Sequence, residues 1–146
     1  MMAVLKFLWV ALLGCSQPNP RFADVVSVEV SGSEQAYTFS VGISSPDTGC
    51  NQYADWWEVI TEAGSLVYRR ILAHSHADEQ PFVRSGGKVK IGNGQTVIIR
   101  AHMNNSGYGG HAFKGSVKDG FKEVTLDKDF AKELEKHDPL PDGCAF

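Results

Sequence analysis

The chain predicts an antiparallel β-sandwich. Three observations carry this: apolar residues recur at every second position, turn residues separate those runs at short intervals, and no helical period occurs before the last twenty residues. Strand side chains alternate between two faces, so a period of two marks a half-buried strand. Many such runs without intervening helices describe two stacked antiparallel sheets. The 146 residues are one domain's worth and long enough for a core, and a 42% hydrophobic fraction excludes wholesale disorder. Net charge is −3 with no basic stripe, which argues against a nucleic-acid partner.

In order, Val26, Val28 and Val30 alternate with Ser27 and Glu29, predicting a first strand from residue 24. After a turn at 31–34, Tyr37, Phe39, Val41 and Ile43 form a second strand that pairs with it. Residues 44–49 contain Pro46 and Gly49 and read as a loop. A third strand over 55–61 carries Trp56 and Trp57, of which one faces the core and the other faces away. A tight turn at Gly64 leads into a fourth strand over 66–73, with Arg69 and Arg70 on opposite faces.

Residues 71–87 read as a long polar loop holding His74, His76, Asp78, Glu79 and Arg84 and ending at Gly86-Gly87. A short strand at 88–91 follows, and then the most β-rich run, 96–103, reads as a central strand. A glycine-rich loop over 104–110 leads to a returning strand at 111–117 and an edge segment at 121–126. The period then changes. Phe130 and Leu134 lie four apart behind Asp127 and Asp129, predicting a C-terminal helix of two to three turns that Pro139 and Pro141 end. The sandwich is therefore expected over 24–126, with a helix and tail over 127–146.

The first residues are a targeting segment. A weakly positive start precedes the apolar run 7–13, too short to span a bilayer, which needs about 20 apolar residues. The sequence Leu12-Leu13-Gly14-Cys15 resembles the lipobox of bacterial lipoproteins. The resemblance implies a signal peptide over 1–14, lipidation of Cys15, and a polar tether over 15–23 that anchors the domain to the membrane. An ordinary secretory signal cut near the same place is the alternative. Ser16 after the lipidated cysteine implies, by resemblance to the bacterial sorting rule, the periplasmic face of an outer membrane. Export leaves Cys50 and Cys144 to pair as a disulfide, the alternative being a free thiol or metal ligand at Cys50.

The strand pattern over 24–117 resembles an immunoglobulin or fibronectin type III fold, although no Cys–Trp–Cys signature is present; a jelly roll is the alternative. In that topology His74, His76, His102 and His111 fall at one end of the sandwich, with Asp78, Glu79, Arg84 and Tyr108. Two functions compete. One is a non-catalytic interaction module for an envelope protein, binding at this rim. The other is a periplasmic copper or zinc protein, since His-X-His offers two imidazoles to one side. No catalytic residues are assigned: the Ser, His and Asp residues of the loop lack a nucleophile elbow or an oxyanion hole.

Overall fold

Most of the predicted alternating runs become strands. The computed structural model describes residues 21–146. The signal segment 1–14, the lipidation candidate Cys15 and most of the tether lie outside the described residues. β1 (Asp24–Ser31) and β2 (Tyr37–Ser44) pair as an antiparallel hairpin whose register shifts once, between Val25 and Ser27. β3 (Ala54–Thr61), β4 (Leu66–Ile71), β5 (Phe82–Val89), β6 (Val97–Met103), β7 (His111–Ser116) and β8 (Gly120–Thr125) follow. They form a three-stranded sheet in the order β1-β2-β5 and a five-stranded sheet in the order β4-β3-β6-β7-β8. All pairings are antiparallel. The fourth strand stays beside the third.

The core lies between the sheets. Phe39, Val41 and Ile43 of β2 meet Trp57 and Val59 of β3 and Val97 and Ile99 of β6, all fully buried. Each such side chain contributes about 1.5–3 kcal/mol on removal from water. The five-stranded sheet is also covered on its outer face. Seven of the eight residues of β3 and all seven of β6 are buried, which explains why 96–103 reads as a nearly continuous apolar run. The cover is the C-terminal segment, whose Leu134 packs with Ile60, Ile98 and Ala112 in a second apolar cluster.

Three expectations need correction. The polar loop ends earlier, because β5 starts at Phe82 and takes in both Gly86 and Gly87. A Cβ on Gly86 would stand 2.5 Å from the Tyr68 hydroxyl, and one on Gly87 would stand 2.6 Å from the Tyr37 carbonyl oxygen, so both permit close packing. The C-terminal helix is one 3-10 helix, Lys132–Lys136, with no side-chain cap. The segment around it is held to the sheet through its carbonyls: Arg69 and Arg100 donate to the carbonyl oxygens of Phe130, Ala131, Leu134, His137 and Pro139. Finally, residues 21–23 are packed rather than a free tether. Ala23 is buried, and the Ser106 hydroxyl donates to the Arg21 carbonyl at 2.5 Å.

Candidate functional site

The topology does bring the start of β3, the ends of β4 and β6 and the start of β7 to one end of the five-stranded sheet, since Trp56 pairs with both Ile71 and His102. The histidines nonetheless divide into separate places, because side chains leave the strand ends in different directions.

The first place is the loop after β4. Its backbone is fastened from both sides. Buried Asp47 accepts from the Ala54 and His76 amides and the Ser45 hydroxyl. The tail runs alongside residues 73–75, with Ala145 donating to the Ala73 carbonyl at 2.7 Å and Ser75 to that of Phe146 at 3.2 Å. A disulfide between Cys50 and Cys144, with Cα atoms 5.5 Å apart, ties this tail to the loop before β3. Cys50 is therefore not a thiolate ligand.

Four rings stack in a column here: Phe146 on His74 (centroids 4.9 Å), His74 on His76 (4.4 Å) and His76 on Phe82 (3.8 Å). The column runs from the exposed Phe146 to the core. His76 is buried, and among the described residues neither of its ring nitrogens has a hydrogen-bond partner; Asp47 lies 3.9 Å from Nδ1. Burial lowers its pKa below the usual histidine value, the positive charges of Arg84 and His74 adding to this and Asp47 and Glu79 opposing it. An open cavity of about 320 Å³ is lined by Gly49, His74, His76, Asp78, Glu79 and Phe146. Arg84 pairs with Glu79 at 3.1 Å at its exposed margin.

The second place is the outer face of the five-stranded sheet, where three strands in register set a charged triad. Glu58 on β3 stands opposite Arg69 on β4 and Arg100 on β6. Its Oε2 accepts from Arg69 Nη2 (2.6 Å) and Nε (2.8 Å), and its Oε1 from Arg100 Nε (2.8 Å). The Glu58 and Arg69 side chains are fully buried. Arg69 lies over the Trp56 ring at 4.3 Å and Arg100 over Tyr108 at 3.5 Å. Burial, reinforced by the negative charge of Glu58, pushes the Tyr108 hydroxyl well above its usual pKa.

His102 extends this face. Its ring lies flat on Trp56 at 3.6 Å and 5°. Nδ1 meets Asp55 at 2.6 Å and Nε2 faces Glu135 of the 3-10 helix at 3.3 Å. A second open cavity, of about 340 Å³, is lined by His102, Asn104, Asn105, Ser106, Lys132 and Glu135. His111 stands elsewhere, paired with Glu123 on β8.

The expected four-histidine rim is thus not assembled. Among the described residues no group of three or more His, Cys, Asp or Glu side chains is placed to hold a metal ion. The His74 and His76 rings lie 4.4 Å apart and tilted by 36°, with His74 Nδ1 turned to the Ser75 carbonyl at 3.0 Å, whereas chelation needs in-plane nitrogen lone pairs aimed at one point about 2.0–2.1 Å away. Tyr108 belongs with Arg100 and His102, not with Asp78 and Glu79. Sequence reasoning missed Glu58, Arg69, Arg100 and Asp55. Their signal was present: each is a charged residue inside a strongly apolar strand, and a buried charge demands a partner.

No protein-family model matches the chain, and no solved structure matches it. A protein of Halomicrobium mukohataei named "Putative lipoprotein" is 39% identical over 107 residues, which are 72% of this chain. The chain spans about half, 52%, of that relative's length.

Proposed function

We propose that the protein is an exported, lipid-anchored module of the cell envelope that binds a protein partner, without catalysis, at the cavity beside His76. The anchor reading is supported by Leu12-Leu13-Gly14-Cys15 and by the name of the Halomicrobium relative. Ser16 favours the periplasmic face of the outer membrane in a double-membraned cell. For the binding reading one observation carries most weight. His76 presents two buried nitrogens, without partners among the described residues, beside an open cavity. Leaving a buried polar atom unsatisfied costs about 1–3 kcal/mol, and in native structures such an atom asks for an explanation.

Two measurements test this reading. A radiolabelled fatty acid should enter the wild-type protein and not Cys15→Ser; absence of label in the wild type refutes the anchor. A photo-crosslinking residue replacing exposed Ala77, at the cavity, should give a discrete adduct in cell envelopes. The same residue replacing exposed Lys122 on β8 should not. Equal adducts from both positions, or none from Ala77, refute binding at this cavity.

A further inference from the structure

Beyond the binding cavity at His76, the geometry points to a second site: His102 and Glu135 together hold a divalent transition-metal ion of the zinc class, with Asp55 as the orienting carboxylate. Four observations build it. The imidazole is fixed before any ligand arrives, flat on Trp56 at 3.6 Å and tied through Nδ1 to buried Asp55 at 2.6 Å. With Nδ1 held by Asp55, Nε2 is turned to Glu135, and a metal ion entering between them would take the place of the proton in that contact. A carboxylate on the far nitrogen is the arrangement that orients and strengthens a metal-binding histidine.

The second observation is a distance. Nε2 and Glu135 Oε1 are 3.3 Å apart, much longer than the 2.6 Å contact on the other side of the ring. Two ligands each about 2.0–2.1 Å from zinc at the tetrahedral angle lie about 3.3–3.4 Å apart. The pair already has that spacing. Third, Gly107 at φ +77 keeps the space open, since a Cβ there would stand 2.5 Å from Glu135 Oε1 and 4.0 Å from His102 Nε2. Fourth, the pair opens on the polar cavity of about 340 Å³, which has room for the waters that would complete the coordination. Two protein ligands make a site of moderate affinity, and Lys132 on the cavity wall weakens it further.

The test is calorimetric titration of the disulfide-bonded protein with Zn²⁺ at neutral pH, together with nitrogen-15 spectra of the histidine rings. The expected result is saturable binding of one ion with a shift of the His102 Nε2 resonance. Glu135→Gln should weaken binding about tenfold or more. Glu135 is partly exposed on the 3-10 helix, so this variant should keep the fold. The inference is overturned if no saturation occurs up to about 1 mM, if Glu135→Gln binds equally well, or if the shifting imidazole is His74, His76 or His111. It is also overturned if His102 keeps protons on both nitrogens at saturating zinc. The Ala77 crosslink is independent of all these outcomes.

Discussion

Replacing Glu58 by Gln tests whether the buried triad holds the C-terminal segment to the sheet. The substitution keeps shape and removes one negative charge that two guanidiniums share through contacts of 2.6–2.8 Å. Both arginines would stay buried, since they also serve five carbonyls of the covering segment. Removing one partner of a buried ion pair costs about 3–5 kcal/mol, because the remaining charge is left uncompensated. With two cations affected, about 4 kcal/mol is a conservative expectation. At a urea slope of about 2 kcal/mol/M this lowers the unfolding midpoint by about 2 M. Urea titration followed by tryptophan fluorescence reads it, since Trp56 and Trp57 immediately precede Glu58 on β3. The exposed Glu79–Arg84 pair is the control, and Arg84→Gln should cost under about 1 kcal/mol. A Glu58→Gln loss no larger than that of the control refutes the reasoning.

Two further outcomes follow from the rim. Burial lowers the pKa of His76 in the folded state, so the unfolded chain binds the extra proton first as pH falls. The resulting loss of stability begins near the unperturbed value of about 6.5 and grows down to the lowered folded value. Urea midpoints at pH 7.5 and 5 should therefore differ less in His76→Phe, which keeps the stack on Phe82, than in the wild type; an identical difference contradicts this. The Cys50–Cys144 bridge spans a sequence separation of 94, for which the chain-entropy argument expects about 4–5 kcal/mol. The double Cys→Ala variant, measured the same way, should lose a large part of this, and a loss under about 1 kcal/mol would show that the tail docks without the bridge.

Much of the fold was legible in the chain because strand periodicity is local. Val26, Val28 and Val30, or Tyr37, Phe39, Val41 and Ile43, declare a face without reference to anything distant. The cysteine pairing was legible by counting once export was inferred. The polar loop was harder to bound, since Phe82 to Val89 includes two glycines whose reason lies in Tyr68 and Tyr37 on other strands. The C-terminal helix was overestimated as well. Its i, i+4 spacing of Phe130 and Leu134 was real, but Ala131 between them sits at φ +48, outside the right-handed helical region, and only Lys132–Lys136 forms a 3-10 helix.

By itself the sequence determined the class of fold and the strands that build it, both of which follow from local pattern and composition. Only the tertiary structure decided which charges meet. Glu58, Arg69 and Arg100 come together because β4, β3 and β6 lie side by side in one register, and register depends on pairings between residues 11 and 42 positions apart. The same holds for the histidines. Topology carried them to one end of the sheet, but the direction of each side chain left His74 and His76 in a ring column, His102 between two carboxylates and His111 against Glu123.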